Sequence, residues 1–240
     1  MKFALVDGQK SQPVPKTHGL CPHCNAEVVS KCGRVKVWHW AHKSRDVCDP
    51  WWENETEWHR SWKDQFPDEW QEISHTDPAT GERHVADVKT PHGLVVEFQH
   101  SPMAMEELEA REAFYGDMIW IVDGLRNDLD LSHFKMGLGR NPIQTDPLAY
   151  KFEFWGRGRI MHNWSQARSR VFLDFGDSST NARPVVWQLV LFDAEKNHGA
   201  VGPYPKHSLV KAITNGEEIG VTFLPEEKEQ EKDISSGKIS

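Results

Sequence analysis

All four cysteines of this 240-residue chain stand between positions 21 and 48. That crowding constrains the N-terminal fifth more than any other feature. Cys21-Pro22-His23-Cys24 is a Cys-x-x-Cys turn, able to present two thiolates to one metal. A second pair of soft or borderline ligands roughly 12–20 residues on completes a tetrahedral zinc site. Trp38-His39-Trp40-Ala41-His42 offers two histidines at that distance. Their close spacing predicts a turn, because strand residues three apart point to opposite faces. The predicted zinc ligands are therefore Cys21, Cys24, His39 and His42, with Cys48 or Cys32 open as the replacement for His39. Lys31-Cys32-Gly33-Arg34 reads as a hairpin turn between short strands at 28–30 and 35–38. The result is a zinc-ribbon-like module over residues 1–50, too small to build an adequate core without a structural metal. Clustered cysteines of this kind belong to metal sites or free thiols, not to a disulfide scaffold.

The longest unbroken apolar run, Met118-Ile119-Trp120-Ile121-Val122, is five residues, whereas a spanning helix needs roughly 20. No membrane span is expected. The opening MKFALVDGQK reaches a charge too soon for a signal peptide, so the expected location is the cytoplasm. Residues 1–50 carry a net charge of +4, residues 51–124 of −12, residues 125–224 of +2 and residues 225–240 of −2. This excludes the uniformly basic surface of a non-specific nucleic-acid binder. The acidic block is either a solvated surface or a set of carboxylates gathered around a divalent cation, and composition does not choose between them.

From residue 51 the pattern changes. Trp52, Glu55, His59, Trp62 and Phe66 recur at three-four spacing, which predicts one face of a helix stopped by Pro67. A carboxylate and an imidazole on that apolar stripe are costly unless paired or metal-bound, so Glu55 is the more interesting acid. Glu57 falls on the opposite side, where a solvated charge is expected. Strands are expected at 70–74, 84–89 and 94–99, the last two joined by the turn Thr90-Pro91-His92-Gly93. Asp87 and Glu97 then oppose one another across that hairpin. Two carboxylates so placed repel unless a cation lies between them, and Mg²⁺ favours such oxygen ligands. Ser101 and Pro102 read as the start of a helix over 103–116. The buried strand 118–122 follows, parallel to the strand before the helix. The order is αβββαβ.

At this point the residues resemble the PD-(D/E)XK nuclease superfamily, and more specifically the competence protein CoiA-like family. The likeness is carried by CPHC with HWAH, by ETEWHRSWK, by HVADV with VVEFQHSP, and by REAFYGDMIWIVDG. It implies an α/β fold: a restriction-endonuclease-like αβββαβ core over residues 51–124, a mixed sheet flanked by helices, after the small zinc module. It implies that Asp87, Glu97 and the Phe98 carbonyl hold Mg²⁺ or Mn²⁺, that Glu55 or Glu57 is the helix acid, and that His59 is the helix histidine. Gln99 takes the place of the superfamily's usual lysine, and a neutral amide can orient water but brings no full charge. Arg111, one helix away, is a candidate for that missing cation, or else a surface salt bridge. The implied activity is a metal-dependent DNA endonuclease, acting on single- or double-stranded DNA during uptake, recombination or handling of foreign DNA in a bacterium. The alternative is a disabled nuclease fold that binds DNA or acts as a scaffold.

Residues 125–224 read as a β-rich extension, with strands at 171–175 and 185–192. Between 150 and 170 five basic residues face one acid, with tryptophans interleaved. Arg157, Arg159, Trp164 and Arg168 are the candidate DNA contacts there, against the alternative of a β-rich packing segment. Residues 225–240 have the composition of a disordered tail.

Overall fold

The computed structural model describes residues 1–44, 48–153, 159–176, 184–193 and 195–221, with the side chains of 191 and 192 left aside. Arg157 and the expected tail at 225–240 lie outside the described residues.

The N-terminal module is a five-stranded antiparallel sheet. β1 (Ala4–Val6), β2 (Gln9–Ser11), β3 (His18–Leu20), β4 (Glu27–Lys31) and β5 (His39–His42) lie in the order β2-β1-β3-β4-β5. Met1, Ala4, Cys21, Val28 and Trp40 form its small core. The expected strand at 35–38 is instead an exposed loop, and the pairing strand begins at His39.

The larger sheet is mixed and has nine strands. Its elements are α1 (Glu57–Lys63), β6 (Gln71–Thr76), β7 (Arg83–Lys89), β8 (Val95–Gln99), α2 (Met105–Tyr115) and β9 (Met118–Asp123). They continue with α3 (Asp130–Gly137), β10 (Leu138–Thr145), β11 (Leu148–Glu153), α4 (Arg159–Trp164), β12 (Arg170–Asp174), β13 (Val185–Asp193), β14 (His198–Pro205) and α5 (Lys206–Asn215). Strand order is β10-β11-β14-β13-β12-β9-β8-β7-β6. The expected αβββαβ succession is present, and β8 runs parallel to β9 as the crossover rule requires. β12 then pairs parallel with the other side of β9, so the C-terminal strands continue the same sheet across residue 124.

Side chains of β9 alternate between two cores, as a strand buried on both faces must. Trp120 packs in a cluster with Leu108 of α2, Phe134 of α3 and Trp164 of α4. Ile119 and Ile121 pack in another with Trp62 of α1 and Leu209 of α5. The helices therefore cover both faces.

Two helix boundaries differ from the sequence reading. α1 begins only at Glu57, because the Thr56 hydroxyl accepts the His59 amide and caps the helix there. Glu55 therefore precedes the helix. Likewise α2 starts at Met105 after Ala104, while the Ser101 amide donates to Glu53 instead of opening a helix. α1 is held on the sheet from the C-terminal side. Asp174 Oδ2, on β12, accepts Trp58 Nε1 at 3.1 Å and Trp62 Nε1 at 2.9 Å.

Candidate functional site

A cavity of about 240 Å³ lies between the N-terminal module and the larger sheet. Met1, His23, Trp40 and His42 line one side of it. Glu53, Glu55, His59, Lys63, Asp87, Glu97, Gln99 and Arg111 line the other.

Asp87 sits where β7 loses its pairing on both flanks. The β7–β8 ladder ends at Val88–Val96, and the β6–β7 ladder passes from Gln71–Val88 to Ile73–Ala86. Carboxylates fill the gap between β7 and β8. Glu97 Oε1 accepts the Asp87 amide at 3.1 Å, and Asp87 Oδ2 accepts the Phe98 amide at 3.0 Å. The expected juxtaposition of Asp87 and Glu97 is thus present in the fold.

Two protein cations reach these acids. Lys63 Nζ lies 2.9 Å from Asp87 Oδ1, 3.3 Å from Glu72 Oε1 and 3.7 Å from Glu55 Oε1. Arg111 is buried, so it is no surface salt bridge, and its guanidinium stands 3.1 Å from Glu97 Oε2. Burial and then the Asp87 charge push the Glu97 carboxyl up to about 8, against the pull of Arg111. Burial also works against the ionised forms of Glu55 and Glu53, but is outweighed. Lys63 and Arg60 hold Glu55 at about 2. Hydrogen bonds from His59, Ser101 and His100 hold Glu53 at about 2.

His59 is buried, with a tautomer set by its neighbours. Its Nδ1 faces the Thr56 amide, so Nε2 carries the proton and donates to the Phe98 carbonyl at 2.9 Å and to Glu53 Oε2 at 3.0 Å. The Gln99 amide donates to the Ser101 carbonyl at 2.9 Å and reaches Glu53 at 3.4 Å. Glu57 is exposed, as its side of the helix required. Glu53, Lys63 and Glu72 are the members sequence reasoning missed. Lys63 carried a signal, standing four residues after His59 and hence on the same helix face. Glu72 was legible only as a strand residue, and Glu53 lies in an extended segment with no period to mark it.

The expected zinc-ligand set is corrected at one residue. Cys21, Cys24, His42 and Cys48 bring their ligand atoms within 4.8 Å of one another. Cys21 Sγ lies 3.9 Å from Cys48 Sγ, and Cys24 Sγ lies 3.3 Å from His42 Nε2. Such separations suit ligands sharing one zinc at about 2.3 Å from each sulfur. His39 is excluded by the strand rule itself. The histidines do lie on a strand, so His39 points away from His42, and its Nδ1 stands 2.8 Å from the Val37 carbonyl. Cys32 remains outside the group. Burial first, then the Cys21 and Cys24 thiols, push the Cys48 thiol up to about 12. A dication among the sulfurs would remove that cost, because the thiolate is the ligating form. This Cys₃His group could hold zinc. Among the described residues it is the sole Cys/His/Asp/Glu group of three or more with ligand atoms so close.

The expected DNA contacts of the C-terminal part fare differently. Trp164 is only 6% exposed and packs against Trp120, so it has no free face for a base. Arg159 and Arg168 are exposed. Arg168, however, follows α4 beside Met118, at the end of β9 remote from Gln99.

Residues 10–50 match the family model described as competence protein CoiA, N-terminal domain. The match spans the module from β2 to Cys48, and the chain is similar to that domain over this stretch. No curated protein and no solved structure matches the chain.

Proposed function

We propose that the chain is a divalent-metal-dependent nuclease hydrolysing phosphodiester bonds of DNA, with the zinc module as one wall of its site. One observation carries this reading: Asp87 and Glu97 face each other where the sheet parts. Six carboxylates line the cavity beside Lys63 and Arg111, with Arg60 reaching Glu55 from outside the lining. Burial first, and then the neighbouring Asp87 charge, raises the Glu97 carboxyl. The donor set is oxygen only, as Mg²⁺ or Mn²⁺ requires: Asp87, Glu97 and the Phe98 carbonyl would hold the ion. Bound there, it would supply the Lewis acidity that activates water and polarises the scissile phosphate.

The chain's own residues do the rest. Gln99 orients water without contributing charge. Lys63 and Arg111 stabilise negative charge developing on the phosphate, the part a lysine at position 99 would otherwise play. Glu53 and His59 hold the Phe98 carbonyl and the Gln99 amide in place. By likeness of the N-terminal module, the setting is DNA uptake and recombination in a competent bacterium, or handling of foreign DNA.

A second reading has its own support. Lys63 and Arg111 already pair both acids without a metal, as they would in a disabled nuclease fold that only binds DNA. Incubating the full chain with single- and double-stranded DNA and Mn²⁺, beside Asp87→Asn, separates the two. Cleavage by the parent and none by the variant is expected. Cleavage undiminished in the variant, or absent from both, sinks the nuclease reading.

A further inference from the structure

Lys63 is a buried lysine on the last turn of α1, and carboxylates from three separate stretches of chain converge on its ammonium. Asp87 Oδ1 on β7 lies 2.9 Å from Nζ, and Glu72 Oε1 on β6 lies at 3.3 Å. Glu55 Oε1, from the segment before α1, lies at 3.7 Å. All three acids line the cavity that also holds Glu97. Each is fixed by a further contact of its own. Arg60 holds Glu55, the Lys2 and Phe3 amides hold Glu72, and the Phe98 amide holds Asp87.

Three inward carboxylates around one positive charge form the kind of oxygen cage that takes a hard divalent cation. Here the charge belongs to the chain. Burial works against the ammonium, but Asp87, Glu55 and Glu72 outweigh it and raise Lys63 above its ordinary value. Asp87 also faces Glu97 across the gap between β7 and β8, where Arg111 meets Glu97. The cavity therefore has two adjoining cation positions that share Asp87. One lies between Asp87 and Glu97, the other among Asp87, Glu55 and Glu72. Adjoining pairs of divalent ions recur in phosphoryl displacement, where they clamp the attacking and leaving oxygens.

We propose that the Lys63 ammonium itself fills the second position, so that the cavity takes one divalent ion beside one built-in cation. The inference rests on the nuclease reading for the first position only. A tethered ammonium brings positive charge but no water ligand. Its part is thus confined to steadying negative charge on the phosphate.

The test counts Mn²⁺ bound per chain at neutral pH by electron paramagnetic resonance, in the full chain and its variants. The Cys₃His group is common to all of them and drops out of the comparison. The parent is expected to bind one ion. Lys63→Ala, which removes the charge and leaves the three acids, is expected to bind two. Lys63→Arg keeps the charge and should bind one. Adding Glu72→Gln to Lys63→Ala should return the count to one, because Glu72 belongs to the second position alone. Mn²⁺ should also raise the melting temperature of Lys63→Ala by several degrees more than that of the parent. Should Lys63→Ala stay unfolded by far-ultraviolet circular dichroism even with Mn²⁺, Lys63→Asn is counted in its place against the same expectation. A neutral variant that binds no more ions than the parent overturns the proposal, its acids being neutralised by protons instead. A parent that binds none, beside a Lys63→Ala chain that binds one through Glu72, upholds the place of Lys63 and sinks the nuclease reading alone.

Discussion

At the scale of single residues, the site is governed by opposed shifts on neighbouring carboxylates. Glu97 is raised from 4.5 to about 8, so the unfolded chain releases that proton first as pH rises. Its contribution to stability is therefore present below 4.5 and lost progressively up to about 8. Glu53 is depressed to about 2. Its contribution is present above 4.5 and lost as pH falls towards 2, amounting to about 3 kcal/mol. Urea denaturation across pH is expected to show Glu97→Gln losing the decline between 4.5 and 8. Glu53→Gln should lose the fall below 4.5 and be less stable at neutral pH. An unchanged pH profile in both variants contradicts these assignments. Glu72 is a third case, its backbone held in the left-handed region at φ 51. That strain of about 1–3 kcal/mol is offset as its carboxylate gathers the Lys2 and Phe3 amides and Lys63.

At the scale of elements, α1 and the metal ligands show how local geometry decides what reaches the site. The Thr56 cap fixes where the helix starts, hence which side His59 and Lys63 project from. Asp174 fixes where the helix sits: besides both tryptophans, it engages Lys206 at 2.8 Å. Asp174→Ala strands the buried Trp62 donor and the half-buried Trp58 and Lys206, and is expected to cost about 3 kcal/mol in denaturant unfolding. A loss below about 1 kcal/mol counts against the clamp. In the N-terminal module, β5 turns His42 inward and His39 outward. Cys48→Ser and His42→Ala should reduce bound zinc measured by elemental analysis, whereas His39→Ala and Cys32→Ser should leave it at the parent level. Zinc lost on replacing His39 would restore the ligand set first expected from the spacing.

At the scale of the whole molecule, the module is fastened to the larger sheet as well as set beside it. Asp49, next to Cys48 of the Cys₃His group, bonds His84 Nδ1 at 2.8 Å and the Val85 amide at 2.7 Å on β7. Trp51 stacks on the His84 ring at 3.2 Å between centroids. Glu72 ties the first residues of the chain to β6. Removal of zinc by a chelator is therefore expected to lower the melting temperature of the entire described fold by several degrees. It should also open the cavity wall formed by Met1, Trp40 and His42. A core that melts unchanged after chelation would show that the two parts are energetically independent.

The αβββαβ order, the two-faced burial of β9 and the pairing of Asp87 with Glu97 were legible in the residues alone. Each rests on a local period, two for strands or near four for helices, or on a turn of known length. The Cys-x-x-Cys turn was legible for the same reason. What local pattern does not hold is which distant groups meet. The choice of Cys48 over His39, the arrival of Lys63, Glu53 and Glu72 around the acids, and the burial of Trp164 all depend on how elements far apart in sequence pack. So does the continuation of one sheet from β9 into β12. Sequence determines the faces an element presents, but burial and charge balance across the assembled core decide which faces touch.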